Sequence, residues 1–237
     1  MNIDSLIIGF KRLETNLTDK SSKKYLKFGF LQRALQIKDT RNQLSQIIEK
    51  AGGESLGGYE VVEVNIFLNS FYINIMGALD NLAWVIQHEL SVIEGANENN
   101  KCYLINLFNR EFQKRLNGID DNIVESLIAH HEWYKEIKKF RDPSAHRIPL
   151  YCPPGVVNQE YYEKLESKKL SSKNKEPRSL MNEYYELAHN SRFEPIFVSF
   201  SEFTNDTPYH LIRTIEQDYH PFWKVAKIVL GLLNNRI

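Results

Sequence analysis

Arg141 and His146 are the residues of this chain whose types and spacing best fit the chemistry of a catalytic site. They begin and end the string Arg-Asp-Pro-Ser-Ala-His. An arginine side chain is permanently charged and can donate two parallel hydrogen bonds to an anionic group. A histidine has an unperturbed pKa of about 6.5 and can therefore exchange a proton near neutral pH. The pair predicts a site that binds an anion and moves a proton beside it.

The helix that carries Arg141 predicts that the guanidinium points inward. Asp120 is expected to be its N-cap, and the helix is expected to run to about Arg141. An inward arginine requires an anionic partner, because an unpaired buried charge is costly. Pro143 is expected to end the helix and turn the chain back, so that His146 and Arg141 face one pocket. At three- and four-residue steps, the inward face of the helix reads Ile123, Leu127, His130, Tyr134, Ile137 and Arg141.

Asp80 and Asn81 interrupt the most apolar segment of the chain, residues 60–94. That segment is apolar on nearly every side, which is typical of the central helix of a bundle. Asp80 and Arg141 are opposite charges that are both expected to be buried, and this favours a direct pair that sets the angle of the guanidinium. The alternative is a structural hydrogen-bond network around Asp80 and Asn81, since buried polar groups must find partners.

The arginine–histidine spacing, with the polar Asp142 directly after the arginine, resembles the R-x4-6-H motif of the HEPN superfamily. These are all-helical domains, and many of them are metal-independent ribonucleases. The segment Gly77-Ala-Leu-Asp-Asn-Leu-Ala-Trp84 also looks like that fold. The string Arg-Asp-Pro…Ala-His-Arg-Ile-Pro-Leu-Tyr is similar to one found in uncharacterised bacterial HEPN-like proteins. The resemblance covers about residues 25–150 and the last helix.

The resemblance implies a metal-independent endoribonuclease. His146 would take the proton of a ribose 2′-hydroxyl, Arg141 would stabilise charge on the phosphate oxygens, and the products would carry 2′,3′-cyclic phosphate and 5′-hydroxyl ends. Asp142 would orient His146 or cap the next turn. Two subunits of this superfamily commonly bring their motifs together, which implies a homodimer. Defence and toxin–antitoxin roles are common, which implies an antitoxin or another protein partner. No cofactor is expected.

Basic residues beside the motif are candidates for RNA binding. Lys138, Lys139 and Arg147 would contact phosphates, although a solvated helix face is the commoner interpretation of such a run. Thirty Lys and Arg balance thirty Asp and Glu, and this zero net charge excludes a globally basic nucleic-acid coat. The same balance keeps a second function open, a non-catalytic HEPN-like module that binds protein or RNA.

Other candidate sites are weaker. Arg213 and His220 form a second match to the motif, but both are expected within one helix. Residues 130–132 read His-His-Glu and lack the second histidine that the H-E-x-x-H zinc motif requires, so no metal site is expected. Cys102 and Cys152 are expected to be reduced thiols, with a disulfide as the alternative.

Hydrophobic periodicity predicts one all-α domain over residues 1–237, an antiparallel helical bundle, which the HEPN resemblance also implies. A small β-containing insertion is expected at about 147–205, before the last helix. No signal peptide and no run approaching 18 uncharged apolar residues is found, so we expect a soluble, cytoplasmic protein with no membrane partner. Helices are expected at about 3–17, 24–51, 60–94 and 120–141, and from an N-cap at Thr207 onward.

Overall fold

The structure, a computed structural model, describes residues 2–146, 148–153, 195–199 and 208–236, and for His146 it describes the backbone alone. Helices account for 76% of these residues, and a two-stranded antiparallel sheet precedes the last helix. The predicted helical fold with a small β element is therefore confirmed. Most of the predicted insertion, residues 154–194 and 200–207, lies outside the described residues.

The first half of the chain follows the predicted helices closely. The segment predicted at 24–51 begins earlier and contains a π-helix, and Gly52 ends it in the left-handed conformation (φ 61°), as expected of a glycine there. The helices are α1 (Ile3–Asn16), α2 (Lys20–Lys24), the π-helix (Tyr25–Leu31), α3 (Gln32–Ala51), α4 (Gly58–Leu90), a 3-10 turn (Cys102–Leu104), α5 (Arg110–Asn117), α6 (Asp121–Ile128), α7 (His131–His146) and α8 (Leu211–Arg236).

Helix α4 is central, as predicted, although it ends at Leu90 rather than near residue 94. It packs against α2, the π-helix, α3, α7 and α8. Within the described residues α4 is also the one helix that is long and apolar enough to cross a membrane by length and composition. Of its most apolar window, 44% is buried inside the protein. The structure is thus compatible with a soluble protein, and a cytoplasmic location stays a prediction.

The helix predicted from Asp120 to Arg141 is two helices in the structure. Asp120 is the N-cap as predicted, and its carboxylate accepts the N–H of Ile123 at 3.3 Å. Helix α6 ends at Ile128, however, and α7 begins only at His131. The predicted inward face is therefore interrupted between the two helices, and α7 alone sets the direction of Arg141.

Pro143 lies inside α7, so the prediction that it ends the helix and turns the chain back is wrong. A proline lacks the N–H of a helical residue and clashes with the preceding turn. Pro143 cannot donate the helical hydrogen bond to the carbonyl of Lys139, and the helix nevertheless continues to His146. One residue further on, the hydroxyl of Ser144 donates to the carbonyl oxygen of Phe140 at 2.8 Å.

Two asparagines one turn apart on α4 hold the segment that follows α7. The amide of Asn65 donates to the carbonyl of Cys152 (3.1 Å) and accepts its N–H (2.7 Å). The amide of Asn69 makes the same pair of bonds to Leu150, both at 2.9 Å. Each side chain thus satisfies both backbone groups of one residue, as a neighbouring strand would. Residues 148–153 are fixed against α4 in this way.

The small sheet consists of β1 (Ile196–Val198) and β2 (Pro208–His210), and Tyr151 adds a single bridge to Val198. Because Pro208 belongs to β2, the last helix α8 starts at Leu211 and not at a cap formed by Thr207, which itself lies outside the described residues.

Candidate functional site

The guanidinium of Arg141 is half buried near the end of α7, with 31% of its side chain exposed. Its Nη1 donates to the carboxylate of the next residue, Asp142, at 3.0 Å. Among the described residues no ion pair within 4.0 Å joins Arg141 to Asp80, so the direct pair expected from the sequence is not formed. The carboxylate that pairs with Arg141 is that of Asp142 instead.

Asp80 is the centre of a hydrogen-bonded network, which is the alternative that the sequence left open. Its Oδ1 accepts from the amide of Asn106 at 3.0 Å, and the same amide donates to the hydroxyl of Tyr134 at 3.0 Å. Burial raises the pKa of Asp80, while the charge of Arg141, the Asn106 bond and the charge of Arg33 oppose that rise. The carboxylate therefore lies within the electrostatic reach of two guanidiniums.

Arg33, on α3, is a residue of this site that sequence reasoning missed. Its Nη1 donates to the amide oxygen of Asn74 at 3.0 Å. Its guanidinium lies directly over the backbone of α4 at Gly77, where an added Cβ would be only 2.6 Å from Cζ of the arginine. Gly77 is three residues from both Asn74 and Asp80, so each of them is its neighbour on the surface of α4. The glycine was the available signal, since a glycine inside a helix often marks a close approach.

Asn81 faces a second close approach, from the π-helix. A Cβ added at Gly29 would lie 2.5 Å from Cγ of Asn81. Single π turns inside α-helices occur frequently at functional sites. Here the π-helix (Tyr25–Leu31) and α4 meet so closely that a side chain at position 29 would require the Asn81 amide to move. Asn81 is thereby placed at the surface between these two helices.

We expect Gly29→Ala to destabilise the fold by about 1 to 3 kcal/mol, because the methyl group has no room beside Asn81. Gly231→Ala is the matched control: Gly231 is also helical, nothing lies within 4 Å of an added Cβ, and the substitution should stabilise by up to about 1 kcal/mol. Urea unfolding of both variants measures the two effects. Equal stabilisation by the two alanines would contradict the close approach.

A polar cleft of about 550 Å³ opens where the π-helix, α3 and α4 meet. Arg33 forms part of the wall of this cleft, and its charge also acts on Asp80. The remaining wall includes Lys24, Tyr25, Phe28, Asn81 and Glu98. Of these residues, only Asn81 was singled out from the sequence.

His146 is the last residue of α7. Positions 141 and 146 are five residues apart on one helix, which corresponds to a rotation of about 140° around its axis. The two positions therefore lie on different sides of α7 and do not share the stripe that a chain reversal at Pro143 would have given. Arg147 lies outside the described residues.

Lys138 and Lys139 are exposed, as the residues of a solvated helix face would be. Lys139 pairs with Glu136 at 2.6 Å, and one turn earlier Lys135 pairs with Glu132 at 2.7 Å. These partners neutralise part of the predicted phosphate-binding surface. Lys138 is exposed and has no carboxylate partner among the residues that the structure describes.

The secondary candidates are placed elsewhere. Arg213 and His220 are both exposed on α8, and His220 lies 3.7 Å from Glu216. His130 lies close to the carbonyl of Ser126 (2.8 Å), and the described part of the chain holds no group of three side chains suited to a metal ion. Within that same part, Cys102 and Cys152 are both free thiols.

No protein-family model, no curated protein and no solved structure matches this chain.

Proposed function

We propose that this protein is a HEPN-like, metal-independent endoribonuclease, with Arg141 and His146 as its catalytic pair and Asp142 as the residue that orients Arg141. The single observation that carries the proposal is the setting of Arg141. Its half-buried guanidinium is bonded to Asp142 at 3.0 Å and lies within electrostatic reach of the partly buried carboxylate of Asp80. A cation held in this way is ready to bind phosphate without reorganisation.

In the proposed reaction His146 takes the proton of a ribose 2′-hydroxyl, and the 2′-oxygen attacks the neighbouring phosphorus. The bond from phosphorus to the 5′-oxygen breaks, and that oxygen takes up the proton that His146 removed, directly or through water, to give the 5′-hydroxyl end. Arg141 stabilises the charge that builds on the phosphate oxygens. Asp80 supports the site through its network with Asn106 and Tyr134, and Asn81 supports it from the wall of the neighbouring cleft. Lys138, Lys139 and Arg147 extend it along the RNA backbone.

A homodimer fits this proposal. Positions 141 and 146 lie about 140° apart around α7, so within one copy they do not share one stripe of the helix. A second copy related by a two-fold axis would bring its own motif to the dimer interface, beside the motif of the first copy. Arg141 of one copy would then act beside His146 of the other.

The proposal is tested by incubating the purified protein with single-stranded RNA in EDTA. We expect cleavage into fragments with 2′,3′-cyclic phosphate and 5′-hydroxyl ends, identified by mass spectrometry. A 2′-O-methylated RNA of the same sequence should stay intact, because it lacks the attacking hydroxyl. Cleavage of the methylated RNA, or 3′-hydroxyl products, would contradict the mechanism.

The second candidate function is a non-catalytic module that binds protein, such as an antitoxin, or RNA. It is favoured by the ion pairs of Lys135 and Lys139 with Glu132 and Glu136, which reduce the positive charge beside the motif. Saturable binding of RNA without cleavage in the same assay would support this function in place of the nuclease.

A further inference from the structure

We infer that the cleft beside Arg33 binds a nucleotide unit, with the phosphate between Lys24 and Arg33 and the base on the exposed ring of Phe28. The choice of a nucleotide in an RNA strand rests on the proposed function, whereas the phosphate and base subsites rest on the cleft itself. The cleft, at about 550 Å³, has the size of an ordinary small-ligand site.

The charge of the cleft favours a phosphate. Lys24 is exposed at its wall, and the guanidinium of Arg33 is half buried there. Within the described ranges, neither has a carboxylate within 4.0 Å, whereas nine other lysines, arginines and histidines do. Two unpaired cations on one concave surface raise the local concentration of anions.

The position of Arg33 is fixed before any ligand arrives. The bond from Nη1 to Asn74 and the backbone of Gly77 beneath the guanidinium hold it against α4. A guanidinium has five N–H donors, and this bond uses one of them. A preorganised donor group loses little conformational freedom on binding, which favours affinity.

Phe28 supplies the surface for the base. Its ring is 69% exposed on the π-helix at the wall of the cleft, although a large apolar ring is ordinarily buried. Tyr25, in contrast, is already stacked on Trp84, with ring centroids 5.3 Å apart and planes at 7°. A base that stacks on Phe28 would cover apolar surface that the fold leaves in water.

Glu98 orients the nucleotide. Its carboxylate accepts a hydrogen bond from the hydroxyl of Tyr25 at 2.8 Å. Burial raises the pKa of Tyr25 to about 12, and this hydrogen bond and the charge of Glu98 add to the effect. The hydroxyl therefore stays protonated at neutral pH and keeps the carboxylate in place. The negative charge of Glu98 repels a phosphate, so we place the phosphate beside Lys24 and Arg33. The carboxylate of Glu98 then accepts hydrogen bonds from an amino group of the base.

The cleft is also connected to the motif. The charges of Arg33 and Arg141 both act on Asp80, so both guanidiniums lie within electrostatic reach of one carboxylate. On the proposed function, an RNA strand with one nucleotide in the cleft extends towards Arg141. The cleft would hold the strand while the motif acts on a neighbouring phosphate.

The test is calorimetric titration of the full-length protein, in EDTA, with adenosine 5′-monophosphate and with a 2′-O-methylated six-nucleotide RNA that cannot be cleaved. We expect saturable binding of at least one of them. Phe28→Ala and Lys24→Ala should each weaken it by about tenfold, as base stacking and a phosphate contact do elsewhere. Lys23→Ala, a lysine outside the cleft wall, and Tyr103→Ala, an aromatic residue with 76% exposure, are matched controls that should bind normally.

The two ligands distinguish the sources of the nucleotide. Tighter binding of the RNA identifies a nucleotide within an RNA strand as the ligand of the cleft. Binding of the mononucleotide alone identifies a free nucleotide as that ligand. Binding of neither, or equal binding by Phe28→Ala, Lys24→Ala and the wild type, would overturn the cleft assignment even if the protein cleaves RNA. If binding depends on Phe28 and Lys24 but the protein cleaves no RNA, the cleft assignment stands and the nuclease proposal is overturned.

Discussion

His146→Ala and Arg141→Lys are each expected to reduce the rate of RNA cleavage by at least about 100-fold. A positioned general base contributes roughly 10² to 10⁴ in rate, and a donor aimed at the developing negative charge contributes about 10² to 10³. Lysine keeps a positive charge near Asp80 but cannot donate two parallel hydrogen bonds to a phosphate. The measurement is single-turnover cleavage of a labelled single-stranded RNA in EDTA.

The control variants for this prediction come from the second match to the motif. Arg213→Ala and His220→Ala change exposed residues of α8 and should leave the cleavage rate within about twofold of the wild type. Thermal unfolding should show that all four variants are folded. Full activity of His146→Ala, together with loss in His220→Ala, would move the catalytic site to α8 and refute the assignment.

Asp218→Asn is expected to stabilise the protein at pH 8 by up to about 4 kcal/mol and to have little effect at pH 4. Burial raises the pKa of Asp218 to about 7, against an ordinary value of 3.8, while the hydroxyl of the buried Tyr72, 2.9 Å from Oδ2, partly opposes the rise. Each pKa unit corresponds to about 1.4 kcal/mol. Asparagine keeps an oxygen that accepts from Tyr72 and carries no charge.

The sign of this effect follows from proton uptake. Between pH 4 and pH 7 the unfolded chain carries Asp218 as a carboxylate, whereas the folded protein holds it protonated. Folding therefore takes up a proton, and the stability of the wild type falls as the pH rises through this window and levels off above about pH 7. Urea unfolding of the wild type and Asp218→Asn from pH 4 to pH 8 measures the difference between them.

The exposed Asp4, which pairs with Lys38 on the surface, provides the matched control for Asp218. Asp4→Asn should change the free energy of unfolding by less than about 1 kcal/mol at every pH, because exposed ion pairs contribute little. A difference between Asp218→Asn and the wild type that does not vary with pH would contradict the shifted pKa of the buried carboxyl.

The sequence by itself determined the helical class, the central position of α4 and the N-cap at Asp120, because these depend on local periodicity and on side chains that bond their own backbone. It also indicated that Asp80 needs a partner. It did not identify that partner. The partners of Asp80 in the network, Asn106 and Tyr134, lie 26 or more positions away from it in the sequence. Local sequence patterns do not reveal contacts over such a separation.

Tertiary packing decided the rest. Pro143 reads locally as a helix end, yet α7 continues through it, since a buried proline surrounded by packed neighbours can be kept where an isolated helix would break. Arg33 reads as one more surface cation of an amphipathic helix, and only its placement over Gly77 of α4 makes it part of a site. Gly29 and Gly77 leave room for the side chains of Asn81 and Arg33 from neighbouring helices, and such a close approach is a property of the pair of helices rather than of either one.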